Sequence, residues 1–86
     1  MVLVKFGAEW CQPCKVLIPT LSELETQYAD TVKFASVDID TTNIAQRFAI
    51  RGVPTLLIFK GGTVINILVG TQTKGRLQLA IDTALA

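Results

Sequence analysis

Two cysteines, Cys11 and Cys14, are the only ones in this 86-residue chain, and two residues separate them. A short apolar run precedes them and a helical pattern follows, so the sequence places Cys11 where a strand leads into a helix. The unpaired N–H groups and partial positive charge of a helix N-terminus stabilise a thiolate and lower the pKa of the thiol. Cys14 follows one turn later on the same face. The stretch predicts thiol–disulfide exchange.

Two other interpretations of the cysteines are less well supported. Two cysteines without any histidine supply only half of a tetrahedral zinc shell, so we expect no metal site. A pair of inert core thiols disagrees with the position at a helix start, where Trp10 and Pro13 adjoin the cysteines. The lack of histidine also excludes catalysis that uses histidine as acid or base.

The composition indicates a small apolar domain, and we expect residues 1–86 to form a single unit. Half of the residues are hydrophobic and 17% are charged, which suits a sheet covered on both faces. No apolar run approaches the roughly 18–20 residues of a membrane span, and no signal peptide is recognisable. A net charge of +1 without a basic cluster argues against nucleic acid as a ligand. We therefore expect a cytoplasmic protein without membrane contact.

Hydrophobic periodicity predicts seven elements in the order βαβαββα. Strands are expected at 2–6, 32–38, 55–59 and 64–69, and helices at 11–28, 42–48 and 73–85. The first two strands should be parallel across a helical crossover, and Gly61-Gly62 predicts a hairpin between the last two. The result is a four-stranded mixed sheet with the first and third helices on one face and the second on the other.

Two helices carry further expectations. The first has an apolar stripe that should be buried, formed by Cys14, Leu17, Ile18, Leu21, Leu24 and Tyr28. Asp40 or Thr41 is predicted to cap the second helix, because short polar side chains satisfy the free N–H groups of a helix start.

The chain resembles the thioredoxin family over nearly its whole length. The resemblance is carried by Ala8–Lys15 (AEWCQPCK), Pro19, Gly52–Thr55 (GVPT) and Val69-Gly70. It implies the three-layer thioredoxin-like α/β fold and the activity of a protein-disulfide reductase in cell redox homeostasis and electron transport. It also implies that the Cys11–Cys14 disulfide is the redox group and that no cofactor is needed. Expected partners are disulfide-containing client proteins and a thioredoxin reductase or other dithiol donor, with the protein itself a monomer.

The resemblance assigns roles to single residues. It implies that Cys11 is the attacking thiolate, that Cys14 is the resolving thiol, and that Pro54 is a cis-proline facing the disulfide. Val53 would align an extended substrate segment by strand addition. The apolar contact surface around Cys11 is expected to comprise Trp10, Gln12, Pro13, Val53, Pro54, Gly70 and Thr71.

Lys5 departs from the family, which usually has a buried aspartate there. Lys5 is counted with the cysteines as catalytic, and three roles are open: a neutral base for Cys14, a cation that stabilises thiolate, or a side chain that only extends to solvent. We favour the cation, with Asp38 as a candidate partner. Gly7 replaces a family tryptophan, and we expect residues 7–10 to be a loop that is more mobile as a result.

The family usually has one more strand and helix before the position of Met1, so the 32–38 strand is expected at a sheet edge that allows dimerisation. Two alternatives to a reductase are also open. One is a binding subunit of another protein whose redox chemistry is dispensable. The other is a more oxidising protein that acts as a disulfide oxidant or isomerase.

Overall fold

The predicted order of elements is confirmed in a computed structural model that describes every residue, Met1–Ala86. The elements are β1 Val2–Gly7, α1 Gln12–Gln27, β2 Lys33–Asp38, α2 Ile44–Arg47, β3 Thr55–Lys60, β4 Thr63–Val69 and α3 Lys74–Leu85. Every boundary falls within two residues of the one expected. Gly7, however, belongs to β1 and not to the loop that follows. No helix combines the length and apolar character that crossing a membrane requires.

The four strands form one mixed sheet in the order β2-β1-β3-β4. β1 and β2 are parallel, with Lys5 opposite Ser36 and Gly7 opposite Asp38. β3 is antiparallel to both β1 and β4, and its pairing with β4 is the predicted hairpin. The hairpin turns at Gly61 and Gly62, whose φ values of +62° and +80° are readily adopted only by glycine. β2 lies at a sheet edge, as expected.

Alternating side chains of β3 divide the core into two layers. Leu56 and Ile58 pack with the buried faces of α1 and α3. Leu57 points to the opposite face and packs with Phe6 and Ala45 under α2. The predicted distribution of the helices over the two faces is therefore correct. Burial of each leucine or isoleucine contributes about 1.5–3 kcal/mol to folding.

The buried stripe of α1 is narrower than predicted. Cys14, Leu17, Leu21 and Leu24 are buried, but Ile18 is 52% exposed. Successive residues turn by about 100° around a helix, so Ile18 lies at one margin of the stripe, beyond the contact with the sheet. This narrow buried stripe determines which face of the first helical turn packs against β1, and Cys14 therefore points toward the interior.

The predicted caps of α2 are wrong. Asn43 is the N-cap residue and makes no side-chain hydrogen bond to the helix. Thr41 donates to Asp38 O, while Thr42 Oγ1 accepts from the Ile44 N–H at 3.3 Å. The Asp40 carboxylate instead accepts a hydrogen bond from the distant Trp10, so local capping preference does not decide its position. α2 is accordingly a single short turn of four residues.

Tyr28 ties the end of α1 to α3. Its hydroxyl donates a 2.7 Å hydrogen bond to Asp82 Oδ1. This hydrogen bond, together with desolvation and the negative charge of Asp82, raises the pKa of Tyr28 above its ordinary value of 10.0. The folded protein therefore holds the phenol proton more tightly than the unfolded chain does.

Tyr28→Phe is expected to lower the free energy of unfolding by about 1 kcal/mol at neutral pH, because one hydrogen bond to Asp82 is lost. The contribution of Tyr28 is fully present below its unfolded pKa and disappears as the pH rises through the higher folded pKa. Denaturant unfolding of the wild-type protein and of the Tyr28→Phe variant, at neutral pH and well above pH 10, measures how the difference in their free energies of unfolding changes with pH. A difference between the two proteins that stays constant with pH would contradict the expectation.

Candidate active site

Cys11 is the N-cap residue of α1. Its backbone is extended, at φ −89° and ψ 103°, and its sulfur accepts the N–H of Cys14 at 3.2 Å. A 3.1 Å hydrogen bond from the Cys11 N–H to Ala8 O closes the preceding turn. Pro13 lies in the first turn, where its missing N–H costs no helical hydrogen bond. The chain thus delivers one cysteine sulfur to the end of the helix and directs a backbone donor at it.

Cys11 and Cys14 form a disulfide, with their Cα atoms 5.3 Å apart. Both residues are almost completely buried, at 4% and 3% exposure. In this geometry a thiolate at Cys11 would have the Cys14 N–H as a donor and would lie at the positive end of the helix dipole. The first turn of α1 contains no acidic residue that would oppose such a charge. The arrangement is suited to reversible exchange through Cys11.

Trp10 is exposed, as predicted, yet held in place. Its side chain is 67% exposed, and its indole Nε1–H donates a 2.7 Å hydrogen bond to Asp40 Oδ2. The Asp40 N–H in turn donates to Asp38 Oδ1 at 2.9 Å. Sequence reasoning missed this pair because 30 residues separate its members. The link fixes a large apolar surface next to Cys11 without burying it.

Pro54 and Gly70 are brought together from two loops. The Val53–Pro54 peptide bond is cis. The Gly70 N–H donates to Pro54 O at 2.8 Å, and Thr55 Oγ1 donates to Gly52 O at 2.6 Å. Gly70 has a φ of +83°, a conformation that favours glycine. Val53 lies between these bonded positions and makes no backbone hydrogen bond within the chain.

The other expected contact residues differ in exposure. Gln12, Pro13 and Thr71 are exposed, while Val53 and Gly70 are half-buried. Pro54 is less than 2% exposed. Its ring is part of the interior, so at this position mainly the backbone around the proline is available to a partner.

Lys5 is half-buried and lines a cavity of about 250 Å³ beside the disulfide. Cys14 and Gly7 contribute to the same cavity, as does Asp38. The expected pairing of Lys5 with Asp38 is wrong, since the single ion pair of the chain joins Lys74 to Glu23 and none involves Lys5. Because the cavity opens to solvent, the ammonium of Lys5 can stay hydrated without a carboxylate partner.

Gly7 lies beside the disulfide as the last residue of β1, not in the loop where it was expected. It is a buried strand residue, and a Cβ atom added to it would lie 3.4 Å from Cys14 Sγ. Gly7 therefore lines the cavity at the point where the cavity meets the disulfide. Sequence periodicity missed it because glycine contributes nothing to an apolar pattern. No group of three or more potential metal ligands occurs in the chain.

Comparison with known proteins agrees with this geometry. The thioredoxin family model matches residues 1–83. The thioredoxin of Acidithiobacillus ferridurans is 45% identical over 85 residues, which cover 98% of this chain and 79% of the relative. Thioredoxin C-2 of Corynebacterium nephridii is 43% identical, and thioredoxin 1 of Synechococcus elongatus 40%, each over 94% of this chain and 76% or 77% of the relative. With its Cys11–Cys14 disulfide, the chain belongs to the thioredoxin family of thiol–disulfide oxidoreductases.

Proposed function

We propose that the protein reduces disulfides of client proteins by attack from Cys11 and resolution by Cys14. The observation that carries this proposal is the redox-active pair at the start of α1, with the Cys14 N–H directed at Cys11 Sγ. That donor and the helix dipole favour the Cys11 thiolate, which is the reactive form of a thiol.

The reaction proceeds in two exchanges. The Cys11 thiolate attacks one sulfur of the client disulfide, so that a mixed disulfide forms and the other client sulfur leaves as a thiolate, which takes up a proton. Cys14, as a thiolate, then attacks Cys11 Sγ and expels the second client sulfur. Two electrons pass to the client, and the protein is left with the Cys11–Cys14 disulfide. A thioredoxin reductase or another dithiol donor reduces that bond again.

The client is held by the surface around Cys11, which comprises Trp10, Gln12, Pro13, Val53, Pro54, Gly70 and Thr71. The free backbone groups of Val53 support a client segment that binds in extended form by strand addition. The carbonyls of its neighbours Gly52 and Pro54 already accept hydrogen bonds within the chain. The exposed Trp10 supplies apolar contact area. The neighbourhood of Pro54 contributes through its backbone, because the ring is buried.

Lys5 acts as a cation that favours the thiolate form of the dithiol. Its position in the cavity with Cys14, without a paired carboxylate, supports this role. A lysine that only extended to solvent would leave the redox midpoint unchanged on replacement by methionine. A reducing cytoplasm is the compartment in which such a dithiol is kept active.

An assay of insulin disulfide reduction tests the proposal, with dithiothreitol or a thioredoxin reductase and NADPH as the donor. We expect catalysis above the rate of dithiothreitol alone in the first arm. Activity in the first arm only would mean that the chemistry is correct and the recycling partner is a different dithiol donor. No acceleration in either arm would contradict the proposed reductase activity.

A further inference from the structure

We propose that Gly7 is a positioning residue: by leaving its side-chain space empty, it lets Lys5 act on the Cys14 sulfur and so sets the redox equilibrium of the disulfide. The inference rests on the proposed dithiol chemistry and assigns its tuning to a residue outside the CxxC motif. Lys5 provides the charge, and the absence of a side chain at Gly7 leaves room for the end of Lys5 beside the Cys14 sulfur.

The empty space lies between the two groups. A Cβ atom at Gly7 would be 3.4 Å from Cys14 Sγ and 3.6 Å from Lys5 Cε. The sulfur and the end of the lysine chain therefore both border the volume that a side chain at residue 7 would occupy. Both groups, with Gly7, line the 250 Å³ cavity.

The backbone does not require glycine at this position. The glycines with positive φ are Gly61, Gly62 and Gly70, and Gly7 is not among them. It lies within β1, where any L-residue has an allowed conformation. What glycine supplies here is therefore space, not conformational freedom.

The strand register explains why Lys5 reaches Cys14. Side chains alternate along a strand, so Lys5 and Gly7 share a face with Leu3, which packs against α1. Phe6 points to the opposite layer. The lysine chain thus extends toward the first turn of α1. Gly7 is the next residue on the same face of β1, and it has no side chain that would keep the lysine from the sulfur.

The charge acts on Cys14 and not equally on both sulfurs. Cys14 lines the cavity, whereas Cys11 does not. The other charged groups around the cavity are Glu9, Lys15 and Asp38, and none forms an ion pair with Lys5. Cys14 is buried and Lys5 half-buried, so water screens the attraction between the ammonium and a Cys14 thiolate less than in bulk solution, although the cavity opens to solvent. A Cys14 thiolate is also the form that resolves the mixed disulfide.

The equilibrium with glutathione measures this effect. Two glutathione thiols reduce the Cys11–Cys14 disulfide, giving the dithiol and one molecule of oxidised glutathione. Since the dithiol state contains the thiolate that Lys5 stabilises, Lys5→Met should shift the equilibrium constant toward the protein disulfide. We expect a change of about tenfold, which corresponds to about 30 mV.

A double-mutant cycle separates the part played by Gly7. Gly7→Val fills this space and displaces the flexible end of Lys5 from the sulfur, so it should reproduce most of the shift of Lys5→Met. Combining the two substitutions should add little. Gly7→Ala adds a single methyl group at ordinary contact distance from both groups and should give a smaller shift in the same direction than Gly7→Val. Lys33→Met, at an exposed position of β2, controls for the loss of a surface charge.

The proposal is overturned if Lys5→Met shifts the constant equally in the wild-type and Gly7→Val backgrounds, or if it causes no shift. If Gly7→Val fails to fold by circular dichroism, Gly7→Ala takes its place in the cycle, since its methyl group lies in the same space and cannot donate a hydrogen bond to the sulfur. Glutathione equilibration works whether or not insulin is a substrate. If the double-mutant cycle shows coupling between Lys5 and Gly7 but the protein does not reduce insulin, the positioning role is supported and the reductase activity is contradicted.

Discussion

Cys11→Ser is expected to reduce the rate of client disulfide reduction to that of the small-molecule donor alone. The serine hydroxyl cannot form the S–S bond of the mixed disulfide, so the first exchange is lost and not merely slowed. The measurement is insulin reduction with dithiothreitol, with the thermal unfolding of reduced wild-type protein as the reference for correct folding. Residual catalysis above the donor rate would mean that Cys14 can start the reaction.

Cys14→Ser should fail in a different way. Cys11 can still attack, but nothing inside the protein expels the client, so a covalent complex accumulates. Non-reducing electrophoresis and mass spectrometry of the peptide containing Cys11 detect it. The Cys11→Ser, Cys14→Ser double variant is the control and should capture no client. If Cys11→Ser captured client and Cys14→Ser did not, the two proposed roles would be reversed.

The double variant also tests the binding-subunit alternative. A protein whose partner needs only its surface would retain its biological role without either sulfur. A reductase would lose that role entirely. Because the exposed indole of Trp10 and the free backbone of Val53 serve both kinds of contact, the surface alone does not distinguish them.

The sheet and its helices were predictable because local patterns decide them. The β3–β4 hairpin follows from Gly61-Gly62, because two glycines between β-rich runs are typical of a tight turn with positive φ angles. The two-sided burial of β3 follows from its unbroken apolar run. The position of Cys11 at a helix start follows from the change in hydrophobic period next to it.

The contacts that shape the site were not predictable in the same way. Trp10 and Asp40 meet through folding of the whole chain, and each alone has an ordinary local explanation. Gly7 is invisible to periodicity, since its significance is an absent side chain facing Cys14. The expected Lys5–Asp38 pair assumed a dry interior, whereas the lysine lies in an open cavity and needs no carboxylate.

Leu24→Ala is expected to have the largest effect on stability. Leu24 is fully buried in α1 and belongs to the core layer that α1 and α3 form with Leu56 and Ile58. Loss of its side chain removes transfer energy and leaves a cavity, at a cost of about 2–5 kcal/mol. A domain of this length has a total stability of about 4–13 kcal/mol. The variant should therefore unfold at a markedly lower denaturant concentration, with an unchanged m-value.

Leu79→Ala is the matched control, because it makes the same substitution at a leucine of α3 that is 69% exposed. We expect it to change the free energy of unfolding by no more than about 0.5 kcal/mol. Both variants should be measured with the Cys11–Cys14 disulfide intact, so that the unfolded chain carries the same constraint in each. Similar losses in the two variants would show that α1 does not contribute the core assigned to it. The packing that directs Cys14 toward Lys5 would then need another explanation.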